Sequence, residues 1–359
     1  MSGTTTYNVP IYCGSAITTQ HKANLYARSI EKAGHRAYIY CKGKFLAPRK
    51  SLVQEFDSVS NMIDKSLVDL QIRSHEDDYM PMGFICNDWI FNEVNFRVNS
   101  IPGQSYSFDI SDKSNLNRVV TDTDLDYVKT WSSLEEVPDD IAIYVKPSHG
   151  SGTSGGNPWS YTKHDSKKDF LNFLSSRGLL DAFNSYQMRP GLLGAYIIQE
   201  YIDTSNVIYH HYLNDQFRSQ GNHGRQWMSG VMRMNANHTC TYMRCKVDST
   251  DTFNFASKMS APIMSAIQAV RHNGRVKVFD FNVRSSGVWA YIYKFVCPIF
   301  FDTYFDNLLN KNRNDYKFDF TEFEYSINRD EVELDNIVEI SMDDYPQAGQ
   351  KNAIYLGMK

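Results

Sequence analysis

An α/β unit followed by an α+β unit is the fold class this sequence predicts, on three observations. The first forty residues alternate strand, helix and strand, the start of a doubly wound parallel sheet. Residues Ile141–Gly156, IAIYVKPSHGSGTSGG, run from an apolar period-2 stretch through Lys146 into a loop with four glycines. A strand-rich second half contains a hairpin turned at Asn273-Gly274.

Composition sets the frame. The chain has 359 residues, 42% hydrophobic and 22% charged, so it can form two or three ordinary globular units with real cores. A net charge of −4 gives no electrostatic footprint for nucleic acid. Cys13, Cys41, Cys86, Cys240, Cys245 and Cys297 form no C-x-x-C pair and no zinc-finger spacing, which points to free thiols in a reducing compartment. The N-terminal MSGTTTYNVP lacks a signal-peptide core, and the apolar patch Trp289–Phe301 is too short to span a bilayer. These features predict a cytoplasmic protein with no membrane partner.

The elements follow in order. Val9–Cys13 is a strand; Thr18 or Thr19 can cap a helix that Gly34 stops near Ala33. Ala37–Lys42 and Met82–Cys86 read as further strands, with a mixed amphipathic region at Leu52–Leu70 and loops at Ser74–Met80 and Val94–Gln104. This unit spans residues 1–108. Ser111–Val120 is a short helix capped by Ser111 or Asp112, with Lys113 in its first turn, and Leu125–Trp131 is strand-like. After the glycine loop comes a helix over Lys167–Leu174, so a first subdomain covers 109–195. A second, 196–315, opens with the buried strand Tyr196–Ile202 and continues with Val207–Leu213, Trp227–Met234 and Thr241–Val247. Its remaining elements are a helix at Thr252–Met264, the hairpin of Ile267–His272 and Arg275–Asn282, and a long helical stretch at Val288–Leu309. Residues 316–359 are a polar, strand-rich extension suited to capping a site, binding a partner or self-association into a homo-oligomer.

Two stretches carry chemistry. A lysine at a strand end beside a Gly/Ser/Thr loop suits a phosphate, because glycine backbone can approach closely and turn its N–H groups inward. The same loop taken alone also fits a plain surface loop. Gly152–Gly156 satisfies G-x-S-x-G, the nucleophile elbow of a hydrolase using Ser154, but that motif needs a helix directly after the serine, and Asn157-Pro158-Trp159-Ser160 follows. Neither the Walker pattern nor the dinucleotide fingerprint is present. In VKVFDFNVRSSG, residues 276–287, Asp280 and Asn282 stand two apart on one strand face, and their oxygens suit Mg²⁺. Arg284 on that face could neutralise a phosphoryl group or a carboxylate. A solvated strand edge is the plainer alternative.

Lys113 in SDK, Lys146 in YVKP, the loop GSGTSGG, Glu200 in IIQEYI and the run VFDFNVRSSG, in this order, resemble the ATP-grasp superfamily over residues 111–310. The resemblance implies a Rossmann-like preATP-grasp domain followed by a two-subdomain ATP-grasp fold, with ATP between the subdomains. Lys113 and Lys146 would contact the phosphates, and Ser151, Gly152, Thr153, Ser154 and Gly155 would cover them. Glu200 would sit at the adenine hinge, with Tyr201 and Ile202 offering backbone groups to the base. Asp280 and Asn282 would hold Mg²⁺, which Mn²⁺ can replace. A further ligand on the preceding hairpin strand falls twelve places earlier at Gln268, where an acid is commoner, although carbamoyl-phosphate synthetases also carry Gln there. The usual proline before Arg284 is Val283, and Asp203 is a weak candidate for the ribose contact.

The activity implied is that of a ligase. A small-molecule or peptide carboxylate is phosphorylated by ATP, with Arg284 and Lys146 as the catalytic groups, and an amine or other nucleophile displaces phosphate. Two alternatives remain open at this point: a nucleotide-binding module without ligation, and a hydrolase using Ser154. Lys129 and Arg118 compete with Lys113 as the earlier phosphate contact. His210, His211, His223, Arg225, Arg233, Arg244 and Lys246 are weaker candidates, for most of which a solvated face is the simpler reading.

Overall fold

The computed structural model describes residues 6–15, 17–47, 52–73, 84–86, 112–120, 126–131, 133–148, 158–186, 196–203, 207–215, 224–234, 240–247, 264–282, 287–310, 312, 314, 317–326, 328–341 and 353–359. The N-terminal unit contains β1 (Asn8–Cys13), α1 (Ile17–Lys32), β2 (Arg36–Lys42), β3 (Leu52–Phe56), α2 (Val59–Arg73) and β4 (Phe84–Ile85). Its strands are parallel in the order β3-β2-β1-β4. Side-chain alternation divides the two faces. Val9, Ile11 and Cys13 pack with Ala23, Ala27 and Ile30 of α1, whereas Tyr12, Tyr38 and Tyr40 pack with Met62 and Ile63 of α2. Gly34, at φ +88°, ends α1 as expected. The region at Leu52–Leu70 resolves into a strand and a helix. Because α1 begins at Ile17, Thr19 lies inside it and donates its hydroxyl to Gly14 O instead of capping.

Next come a 3₁₀ turn at Lys113–Asn115, α3 (Leu116–Val120), β5 (Asp126–Tyr127), β6 (Thr130–Trp131), β7 (Ile143–Pro147), β8 (Thr162–His164), α4 (Lys167–Ser176), α5 (Leu180–Tyr186) and β9 (Tyr196–Glu200). Strands β6-β9-β7-β8 form an antiparallel sheet. By this pairing, β9 shares a sheet with β6, β7 and β8, which precede it in the chain. The expected strand at 125–131 is two short pieces in two sheets: β6 pairs with β9, and β5 with β14 below.

The remainder contains β10 (Val207–Asp215), β11 (Gly224–Met234), β12 (Cys240–Val247), β13 (Met264–His272), β14 (Arg275–Asn282), α6 (Gly287–Val296), α7 (Phe300–Asn310), β15 (Glu322–Ser326), β16 (Asn336–Ser341) and β17 (Ala353–Met358). They build a sheet in the order β16-β17-β15-β12-β11-β10-β13-β14-β5. The β13–β14 turn has Asn273 at φ 51° and Gly274 at φ 76°, the left-handed pair a two-residue hairpin requires. Met264 belongs to a strand, not to the end of a helix; the rest of the expected 252–264 helix lies outside the described residues. The long helical stretch is two helices, interrupted at Cys297–Ile299, where Pro298 cannot continue the hydrogen-bond ladder. The C-terminal strands join the large sheet through β15 and β12, so they are part of it and not an appendage.

One core joins the N-terminal unit to this sheet. Tyr26 of α1 packs against Phe301 and Phe305 of α7, with ring centroids 5.4 and 5.5 Å apart. Beside that contact, His35 accepts the Tyr7 N–H at Nδ1 (3.1 Å), which leaves Nε2–H to donate to Asn310 Oδ1 (3.0 Å). Burial lowers the His35 pKa, outweighing the Asn310 contact that would raise it. A depressed histidine binds fewer protons folded than unfolded, so its stabilising contribution falls as pH drops below about 6.5. The melting temperature should therefore decline from about pH 7.5 to about 5.5. His35→Gln should flatten part of that decline. Parallel curves for the two proteins would assign the acid sensitivity elsewhere.

Candidate active site

The four-stranded sheet has two unlike faces. Register places Tyr144 opposite Lys163 and Gln199, and Lys146 opposite Ile197, so these side chains share a face. Ile143, Val145 and Ile198 take the other face and pack under Phe170 and Leu174 of α4 and Phe183 of α5. With its back covered by helices, the sheet presents Lys146 toward β14.

At that point β14 carries a bulge. Asp280 pairs with Gln268 and Val278 with Ala269, so Phe279 is an extra residue on β14. The Lys146 ammonium donates to the Phe279 carbonyl at 2.7 Å. A bulge frees a backbone group from the ladder and re-aims the residues around it. Asp280 and Gln268, being cross-strand partners, share one face, and Asn282 takes the ladder position opposite Ala266, two residues on from Asp280.

Lys113 arrives from the 3₁₀ turn. Asp112 caps that turn, its carboxylate accepting the Ser114 N–H at 2.9 Å. The Lys113 N–H donates to Ser148 O at 2.9 Å, which ties the turn to the end of the Lys146 strand. The Lys113 ammonium then stands 3.1 Å from Asp280 Oδ1 and that of Lys146 3.9 Å from the same atom. Both lysines are buried. Burial lowers the Lys146 pKa to about 8; Asp280 opposes that shift and Lys113 adds to it. Burial would raise Asp280, but the two ammoniums, Lys113 foremost, and the Phe281 N–H hold its carboxyl below the usual range.

Glu200 ends β9. Its Oε1 accepts from Lys277 Nζ at 2.7 Å and from the Lys129 N–H at 3.1 Å. The Tyr201 N–H is committed to Ala142 O at 2.8 Å, so of its backbone pair the carbonyl remains to serve a base. Lys163 Nζ lies 4.5 Å above the Tyr201 ring, and Ile202 is buried.

The structure thus brings Lys113, Lys146, Asp280 and Gln268 to one cleft, with Glu200 at its side. Lys129 is not part of it: its ammonium lies 5.9 Å over the Trp131 ring, and Arg118 is exposed. Arg244 pairs with Glu322 and Glu324 on the large sheet. Ser151–Gly155, His223 and Arg284 lie outside the described residues. His210, His211, Arg225, Arg233 and Lys246 are placed only as strand positions on β10, β11 and β12. After the glycine stretch the chain returns as β8, antiparallel to β7, and the first helix among the described residues that follow is α4. Lys277 and the Phe279 carbonyl were not anticipated; nothing in VKVFDF marks the bulge.

The whole chain can be compared with solved structures. It is similar to the L-amino acid ligase from Bacillus licheniformis, with 12% identity, 98% of this chain and 93% of that chain covered, and a TM-score of 0.61. It is also similar to a carboxyaminoimidazole ribonucleotide synthase from Aspergillus clavatus complexed with ATP (8%, 99% and 94%, TM-score 0.59). The biotin carboxylase–β,γ-ATP complex from Campylobacter jejuni is a third (13%, 98% and 87%, TM-score 0.55). The chain has the ATP-grasp fold. No protein-family model matches the sequence, and no curated protein matches it. In this fold β7 and β14, which belong to different sheets, meet through the Lys146–Phe279 hydrogen bond and the lysine–Asp280 contacts.

Two implied groups can be tested against the residues present. Buried ammoniums at Lys113 and Lys146 fit a phosphate chain. Among the described residues, no three His, Cys, Asp or Glu side chains could hold a metal by themselves. Asp280 Oδ1 is nonetheless buried and charged, facing the Lys113 and Lys146 ammoniums. With Gln268 beside it, this set fits a Mg²⁺ held jointly with phosphate oxygens, since Mg²⁺ needs few protein carboxylates when substrate phosphates complete its shell. No helix among the described residues is long and apolar enough to cross a membrane.

Proposed function

We propose that the protein is an ATP-dependent ligase that activates a carboxylate as an acyl-phosphate and joins it to an amine or another nucleophile. The observation that carries this reading is the convergence of Lys113 and Lys146 on Asp280 where β7 meets β14. Three neighbours in fold are described as ligands' complexes with ATP, ADP or a β,γ-ATP form, which supports a nucleotide in this cleft. Lys113 and Lys146 hold the phosphates, and the Tyr201 carbonyl and Ile202 backbone meet the base beside Glu200. Asp280, Gln268 and Asn282 would hold Mg²⁺, for which Mn²⁺ is an alternative, and the ion would spread the phosphate charge. Arg284 is assigned to the transferred phosphoryl group, and Ser151–Gly155 to the cover that keeps water out.

The reaction needs positioning and positive charge more than a protein nucleophile. A carboxylate oxygen attacks the γ-phosphorus and ADP leaves; the amine then attacks the acyl carbon and phosphate leaves. A small-molecule or peptide acid and an amine are the substrates. A cytoplasmic setting accords with five buried free cysteines among the described residues. The neutral Gln268 opposite Asp280 favours, as a second reading, a module that binds nucleotide without ligation.

Thermal unfolding with a non-hydrolysable ATP analogue and Mg²⁺ tests the site. At about one hundred times Kd the pair should add about 2.7 kcal/mol. The midpoint should rise only with both present. An unmoved midpoint at millimolar analogue removes the nucleotide reading. ADP release in a screen of acids and amines then separates ligase from binding module.

A further inference from the structure

We infer that Lys277 is a positioning residue of the cleft: its ion pair with Glu200 sets the rotation of the β14 bulge and so aims Asp280. This rests on the nucleotide-binding reading above.

Lys277 precedes Asp280 by three residues. On a regular strand that spacing sends the two side chains to opposite faces. The extra residue at Phe279 reverses the parity, so Lys277 and Asp280 leave β14 on the same side. Both find their partners there, on the neighbouring sheet: Glu200 for Lys277 at 2.7 Å, and Lys113 and Lys146 for Asp280. The Lys277 and Glu200 side chains are 17% and 25% exposed, so the pair is largely shielded from water.

Glu200 is itself held firmly. Its N–H donates to Lys129 O at 2.9 Å, and its Oε1 accepts the Lys129 N–H. Among the described residues, the ladder on the outer side of β14 is the short β5, paired at Lys277 and Val278, with Val128 N–H reaching Val278 O. Two cross-cleft anchors add to this: Lys277 to Glu200 before the bulge, and Lys146 to the Phe279 carbonyl within it. Anchors on successive sides of a bulge fix its rotation, and that rotation decides where the next side chain points. Lys277 acts through Asp280 and not by touching phosphate or cation.

The test compares Lys277→Met and Lys277→Arg in the full chain. Its readouts are calorimetric binding of the Mg²⁺-loaded ATP analogue, the Mg²⁺ concentration needed for half-maximal binding, and the melting temperature without nucleotide. Lys277→Met should weaken binding and raise the Mg²⁺ requirement by about tenfold or more, the usual cost of removing a group that orients a ligand-holding residue. Its melting temperature without nucleotide should fall only modestly, because Glu200 Oε1 keeps the Lys129 N–H as a partner. Lys277→Arg, which restores the charge, should recover most of the binding. If the parent protein binds the analogue and Lys277→Met binds it equally well, the positioning role is wrong and the nucleotide site stands. A variant that loses binding only because it melts early, or a loss that arginine does not repair, also overturns the inference. If the parent protein itself does not bind, the nucleotide reading has failed first.

Discussion

Replacing Asp280 with alanine is expected to lower stability by about 3–5 kcal/mol and to abolish nucleotide-dependent turnover. The stability loss follows from what stays behind. Lys113 and Lys146 are both buried, and Asp280 is the carboxylate facing their ammoniums. Without it, two like charges remain in a poorly solvated cleft, a situation worse than having no ion pair at all. Asp280→Asn is the subtler variant. It keeps the shape, removes the charge, and should raise the Mg²⁺ concentration needed for activity. Denaturant titration reads the first effect, and a Mg²⁺ titration of ADP release reads the second. If Asp280→Ala unfolds like the parent protein, the lysines are solvated and the cleft is not the closed electrostatic unit described. An unchanged Mg²⁺ titration in Asp280→Asn would take the metal assignment away from this residue.

Much of this cleft was legible because it lies on regular strands. Period-2 alternation in Ile143–Pro147 already separates Lys146 from the core residues Ile143 and Val145. The Asn273-Gly274 turn sets the β13–β14 pairing, which puts Gln268 opposite Asp280, the position that the family resemblance had picked out by spacing alone. What was not legible depends on contacts between distant segments. The bulge at Phe279 has no local signal; its carbonyl is taken by an ammonium 133 residues away. Nothing in the local sequence therefore marks Lys277 as a partner of Glu200. Residues 125–131 read as one strand because each half is too short to show a period, and their partners come from two sheets. Pro298 was visible, but the aromatic residues on both sides of it made one helix look continuous.

Lys146→Met should eliminate the nucleotide-induced thermal shift and cut turnover by about 10²–10³, while leaving the unliganded protein as stable as before or slightly more so. The two halves of this expectation have separate causes. Lys146 is almost wholly buried, and burial pulls its pKa from 10.5 to about 8, so the fold bears a cost for keeping it charged. It also shares one carboxylate oxygen with Lys113. Methionine fills similar length with an apolar chain and leaves Asp280 and Lys113 as a matched pair. Against that relief stands the lost hydrogen bond to the Phe279 carbonyl, worth about 1 kcal/mol. A phosphate chain, in contrast, loses a cation at the point where its charge gathers. A residue whose removal relieves the fold and disables binding is held in place by function, the pattern expected where activity and stability compete. Calorimetric binding and denaturant unfolding of the same variant decide the matter. Intact nucleotide binding would take Lys146 out of the phosphate site. A loss of several kcal/mol of stability would instead make it a strut between β7 and the β14 bulge.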